Sequence, residues 1–199
     1  MVDAVGAVVG RDVPRSEVSK IAGPGMTDWN ILVLAVEQAT GQAPTSREIR
    51  DGLDFAAQRY PELLEAASRP EPLPGALPLR SALIASGVRV ALVTGNVEQI
   101  GVTKLSAAGL AEYHERGQGG FGDEARERPE LVRIAIRRAK AAGWNGTDVV
   151  VVGDTPRDID CAHQNGARAI AVTTGPYDRS SLRAADDVVD SLVELMERT

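Results

Sequence analysis

Four consecutive valines, Val149–Val152, run into Gly153 and Asp154, and the pattern then changes. A run of β-branched residues favours extended backbone. The stretch behind it, Pro156–Gly166, is helical in spacing and ends on a glycine suited to a helix C-terminus. A second apolar run follows at Ala167–Gly175. A strand, a helix and another strand in that order predict a parallel α/β sheet with right-handed crossovers. The alternation also runs upstream. Val88–Gly95 reads as a buried strand and Val97–Gly109 as the helix after it. Arg128–Gly143 reads as an amphipathic helix, apolar at Leu131, Ile134, Ala135 and Ala139, and Asp190–Arg198 as a closing helix. Strands so rich in valine predict a sheet covered on both faces.

The first 69 residues have a different period. Val2, Val5, Val8 and Val9 recur at helical spacing, and helical patterns return at Ser16–Ala22, Thr27–Thr40 and Ser46–Ala67. Thr27 and Ser46 are expected N-caps. Prolines mark Arg69–Pro78 as a linker. The expected organisation is a helical cap domain, residues 1–72, leading into an α/β core, residues 73–199.

The whole-chain numbers narrow the function classes. A net charge of -6 and a pI of about 5.0 argue against nucleic acid or an anionic membrane as a main partner. A small anionic substrate remains compatible, because a local cation or metal can reverse the field. The chain has one cysteine, Cys161, so no internal disulfide can form, which fits a reducing cytoplasm. Cys161 reads as a packed thiol rather than a nucleophile. The apolar runs are strand-length, well below the ~20 residues of a membrane span, and no secretory leader is expected at Met1. His114 and His163 carry no partner at a meaningful spacing, and Trp29, in the cap loop, and Trp144 read as packing residues.

Three features carry chemistry. Thr94, Gly95 and Asn96 follow a strand and precede a helix, which makes a small anion cradle of hydroxyl, amide and backbone N–H groups. Lys104 lies on the helix leaving that cradle, where a cation can neutralise a phosphoryl group; Arg128 competes for this role. Asp154 closes a strand and Asp158 follows one turn later. Two carboxylates held close are costly without a cation between them. Mg²⁺, which prefers oxygen ligands and keeps several waters, suits such a pair with a phosphate.

In this order and spacing the features resemble the haloacid dehalogenase (HAD) superfamily, in its phosphoglycolate-phosphatase-like branch. The resemblance covers about residues 73–180, and Val149–Ala167 is its most specific part. It implies a HAD-like Rossmannoid core and a Mg²⁺-dependent phosphatase acting on a small phosphorylated metabolite through an aspartyl-phosphate intermediate. Thr94, Gly95, Asn96 and Lys104 would hold the phosphoryl group, and Asp154 and Asp158 the metal. Residues 1–72 resemble the family's helical cap, with Thr27 and Asp28 as candidate specificity residues in the loop facing the substrate. Dehalogenation is disfavoured, because those members need no magnesium.

One part of the resemblance is missing. The family's first motif is an apolar strand ending in Asp-x-Asp-x-Thr, whose first Asp is the nucleophile. The only Asp-x-Asp in the chain is Asp158-Ile159-Asp160, inside the fourth motif. The expectation is that the nucleophile lies upstream of Met1 and that the 199 residues are inactive as they stand. The alternative is a non-catalytic phosphate- or metal-binding regulatory module. Loss of a central strand would leave its two neighbours unpaired and about 10 Å apart, a gap open to pairing with another chain, including a second copy in a homodimer.

Overall fold

The computed structural model describes residues 1–198; Thr199, at the end of the expected core domain, lies outside them. The N-terminal part is helical throughout: α1 (Val2–Val9), α2 (Arg15–Ile21), α3 (Asp28–Thr40) and α4 (Ser46–Glu65). Their apolar faces share a core built on Val5, Leu32, Val36 and Leu53. Val97 and Ile100 join that core and tie the helices to the rest of the chain. Thr27 caps α3 as expected, its side chain accepting the Asn30 N–H. The cap of α4 is Thr45 rather than Ser46, because Thr45 and Glu48 form a reciprocal capping box.

The linker is shorter than its prolines suggest. Ala76–Ala85 forms α5, and Pro78 is tolerated in the first turn, where its missing N–H has no helical acceptor. The remaining elements are β1 (Val93–Thr94), α6 (Glu98–Ala107), β2 (Gly120–Phe121), α7 (Arg128–Ala141), β3 (Val150–Gly153), α8 (Pro156–Gln164), β4 (Arg168–Val172), β5 (Asp187–Val189) and α9 (Leu192–Glu197).

All strand pairs are parallel, but the sheet is in two pieces. In one piece β1 pairs with β2, Val93 opposite Gly120 and Thr94 opposite Phe121. In the other, β4 lies between β3 and β5, with Val150 opposite Arg168 and Ile170 opposite Asp187. Among the described residues no strand pairs with the second edge of β1 or of β3.

Two expectations fail at these edges. The buried strand expected over Val88–Val93 shrinks to Val93–Thr94, and Val88 is 47% exposed. Its backbone has only the short β2 to pair with, so the ladder does not propagate. The sheet is also not covered on both faces. One face of β3 and β4 packs on Ile159 and Ala162 of α8. On the other face, α5 and α9 cover Ile170, Val172 and Val189 with Leu79 and Leu195. That cover stops short of β3, where Val150 and Val152 are 42% and 43% exposed. Among the described residues no helix is long and apolar enough to cross a membrane.

Candidate active site

The turn Thr94–Gly95–Asn96 sits between β1 and α6, as the sequence requires. Several of the donors in and just after it are already engaged. Thr94 Oγ1 accepts the Asn96 N–H at 3.2 Å. Val97 N–H and Asn96 Nδ2 both donate to Asp28 Oδ2, at 2.9 and 3.2 Å. Glu98 N–H donates to Asp123 Oδ1 at 3.0 Å. Two carboxylates therefore cap the head of α6, where unpaired N–H groups and the helix dipole favour negative charge. Burial raises the pKa of both acids; the Val97 N–H, the Asn96 amide and Lys104 pull Asp28 back down.

Lys104 is in the last turn of α6. Its Nζ donates to Asn96 Oδ1 at 2.7 Å and lies 5.4 Å from the Tyr60 ring centroid, over the ring face. Burial lowers its pKa and Asp28 raises it. For Asp28 and Lys104 alike, desolvation outweighs their mutual attraction. The expected cradle residues thus converge with Asp28, across 68 residues of sequence. Thr27 does not join them. Its hydroxyl accepts the Asn30 N–H at 3.0 Å and donates to the Arg126 carbonyl at 2.6 Å, so it fixes the start of α3.

The acids after β3 divide into two kinds. Asp158 is buried and both its oxygens are used. Oδ2 accepts the Thr155 N–H at 3.0 Å and its hydroxyl at 2.7 Å, closing a capping box on α8. Oδ1 accepts Arg128 Nε and Nη2 at 3.0 and 2.8 Å. Asp154 is half-buried, and among the described residues its carboxylate accepts a hydrogen bond from its own backbone N–H alone. Burial raises its pKa, Asp158 raises it further, and Arg128 opposes. Gly175 lies directly against this carboxylate, and a Cβ there would collide with it.

Arg128, opening α7, joins the two regions. It pairs with Asp158, and its Nη1 would sit 3.2 Å from a Cβ on Gly95. The cation beside the acid pair is therefore Arg128, while Lys104 serves Asn96. Spacing could not decide this, because 30 residues separate Arg128 from Asp158. Asp123 was missed altogether; a Gly-rich turn, Gly119–Gly122, ahead of it was the only local signal.

The fit to Mg²⁺ is partial. Asp154 has the character of a ligand: a desolvated carboxylate with spare lone pairs. Asp158 does not, since Arg128 and Thr155 already satisfy it. No group of three His, Cys, Asp or Glu with metal-holding geometry occurs among the described residues. A complete site would need oxygen ligands from elsewhere.

The HAD-hydrolase-like family model matches residues 127–195, which take in Arg128, Asp154 and Asp158. A protein of Dickeya dadantii described as "Probable phosphatase IndB" is 27% identical over 170 residues, 82% of this chain and 73% of that one. A phosphoglycolate phosphatase of Chromobacterium violaceum is 29% identical over 146 residues, 73% of this chain and 64% of that one. The crystal structure of a hydrolase from Pseudomonas syringae superposes with a TM-score of 0.61 at 20% identity, covering 98% of this chain and 90% of that chain. These likenesses support a haloacid dehalogenase (HAD)-like protein, the family model itself matching residues 127–195. Within that HAD framework, the turn after β1 and the acids after β3 mark the C-terminal ends of the strands, where open α/β sheets bind their ligands. The match to the Chromobacterium protein takes in less than two thirds of that relative's length.

Proposed function

We propose that these residues form the phosphate-facing and metal-facing part of a HAD-type phosphatase for a small phosphorylated metabolite. The chemistry would pass through an aspartyl-phosphate, with Mg²⁺ as cofactor. The observation that carries the reading is the position of Arg128. One guanidinium reaches both the Gly95 turn and the Asp158 carboxylate, beside the free carboxylate of Asp154. Phosphoryl transfer depends on such convergence of cations and backbone donors on developing negative charge. Thr94, Gly95 and Asn96 would hold the phosphoryl oxygens, and Asp154 would contribute one metal ligand. Mg²⁺ bound there would neutralise charge on the transferring group. In this reading α1–α4, residues 1–72, are the cap domain that shields the site from water.

The nucleophile is not among the 199 residues as an Asp-x-Asp at a strand end. We infer that a strand entering between β1 and β3 supplies it. The unpaired edges and the exposed Val150 and Val152 are compatible with one added parallel strand. The amino group of Met1 lies close enough to Asp28 to lower its pKa.

The test is Mg²⁺-dependent hydrolysis of 4-nitrophenyl phosphate by the 199-residue protein and by a version with an apolar Asp-x-Asp-x-Thr strand joined ahead of Met1. Loss of a nucleophile costs on the order of 10⁶ in turnover in a covalent hydrolase. The extended protein should therefore turn over by orders of magnitude faster, and its Asp154→Asn variant should not. If the extended protein folds with the strand inserted and still fails, a non-catalytic phosphate-binding module becomes the better account.

A further inference from the structure

The segment Gly23–Asp28 is a strap across the tips of the two half-sheets. On one side it lies against the turn after β1. Asp28 N–H donates to the Gly95 carbonyl at 2.6 Å, and the Met26 carbonyl rests where a Cβ on Gly95 would be. On the other side it meets the start of α8. Arg157 Nη1 donates to the Pro24 carbonyl at 2.7 Å, and Thr155 Oγ1 lies 2.9 Å from where a Cβ on Gly25 would be. Arg128 Nη1 reaches the Gly25 carbonyl at 3.4 Å. The strap ends in Asp28, which is 8% exposed and whose carboxylate accepts hydrogen bonds from Val97 N–H and Asn96 Nδ2.

That carboxylate sits where the sequence calls for a phosphoryl oxygen. The groups facing it are Asn96 and Lys104 on the α6 side, Tyr60 from α4 and the amino group of Met1. Most of them suit an anion, and an anion of the protein's own holds the place. Met26 closes the approach to Gly95 from the same direction. The strap is anchored at its α3 end, where Thr27 and Asp28 are buried and Met26 packs on the N-terminal core, and open at the other. Pro24 is exposed, and an open cavity of ≈ 190 Å³, lined by Met26, Arg126, Arg128, Arg157 and Cys161 among others, flanks it. Lifting the strap would release Thr27 from the Arg126 carbonyl and open the first turn of α3, leaving the later turns packed.

We propose that the Gly23–Asp28 strap is an autoinhibitory latch: Asp28 fills the anion seat at the head of α6, and a phosphoryl group enters only when the strap lifts. The inference rests on the reading of the Thr94–Asn96 turn as a phosphoryl seat. It makes Asp28 a competitor of the substrate phosphate, where the sequence suggested a specificity residue.

The experiment uses the whole chain and inorganic phosphate as the probe. Phosphate affinity is measured by calorimetry, and strap opening by amide hydrogen exchange at Val97 and across residues 23–28. Asp28→Ala and Asp28→Asn should bind phosphate about tenfold more tightly than the parent, the scale expected of one carboxylate contact at a helix start. Exchange at Val97 should rise about tenfold in Asp28→Ala. Arg157→Ala, which frees the far end of the strap without touching the seat, should shift both readouts the same way by less. Equal affinity in all four proteins overturns the latch. Weaker binding in Asp28→Ala than in the parent also overturns it and makes Asp28 part of the ligand site. If Val97 is opened by the substitutions and phosphate still binds none of the proteins, the seat itself is misread, and the failure is that of the phosphatase assignment.

Discussion

The sharpest prediction concerns the two acids that sequence spacing presents as a pair. In the structure Asp158 is spent on Arg128 and on the start of α8, and Asp154 is not. The Asp158 and Arg128 side chains are 9% and 16% exposed, and two N–H···O bonds of 3.0 and 2.8 Å join them. Removing one partner of a buried pair leaves the other charge uncompensated, at about 3–5 kcal/mol. Asp158→Ala also removes the acceptor of the Thr155 N–H and hydroxyl. For a domain of this size 1 kcal/mol moves the melting temperature by roughly 2–4 °C. The expected drop is therefore about 6–20 °C, read by circular dichroism or by urea unfolding. Arg128→Met should cost a similar amount. The double variant Arg128→Met/Asp158→Asn should cost less than the sum of the two single changes, because neither charge is then left alone. A shift below about 1 kcal/mol for Asp158→Ala, typical of an exposed ion pair, would refute the division of labour between the two acids. So would an equal loss in Asp154→Ala.

Asp154 should behave in the opposite sense. Its folded pKa is raised by burial and by Asp158, so its contribution to stability is present below the ordinary carboxylate pKa of ~3.9 and is lost as pH rises through the raised value. Asp154→Asn should melt higher than the parent at pH 7, and the difference should vanish near pH 3; an unchanged difference across that range would show that the carboxylate is not desolvated. Any Mg²⁺-induced rise in melting temperature should disappear in Asp154→Asn, and its survival would place the ion elsewhere. Thr27→Val deletes a helix cap and a buried bond to the Arg126 carbonyl, and should cost about 1–2 kcal/mol in urea unfolding; a neutral result would show that water replaces both bonds.

How much of this was legible in the sequence depended on range. Local patterns were readable: the valines of β3, the cap at Thr27 and the turn at Thr94–Asn96 all follow from residues within a few positions of one another. The strand at Val88–Val93 misled because its pattern is right but its partners are few; β-structure is made between segments, and among the described residues β2 alone pairs with it. β2 and β5, Gly120–Phe121 and Asp187–Val189, are too short to show a period of two. The prolines around Pro78 hid α5. The pairing of Asp28 with Val97 and of Arg128 with Asp158 spans 69 and 30 residues, and no spacing rule reaches so far.

These long-range contacts also explain how two half-sheets hold together. The β1–β2 piece and the β3–β5 piece share no backbone ladder. What joins them is α7, which packs on β1, β2 and α8, together with Arg128 at its start and the strap above it. A strand inserted between β1 and β3 would add ladder bonds on both sides and cover Val150 and Val152. Fully burying a valine is worth about 1.5–3 kcal/mol, and each of these is already more than half covered, so the apolar gain would be a fraction of that per residue. The backbone pairing would matter more, because each new bond satisfies an edge group of β1 or β3. Such a strand would end between the Gly95 turn and Asp154, under the strap. Its arrival and the release of Asp28 from Val97 would then compete for the same space. If so, the Asp-x-Asp extension should raise exchange at Val97 even without phosphate, and an extension ending in Ala-x-Ala should do the same. A Val97 amide that stays protected in both extended proteins, with β3 protected by the new strand, would show that strap and strand coexist, and that latch and slot are independent.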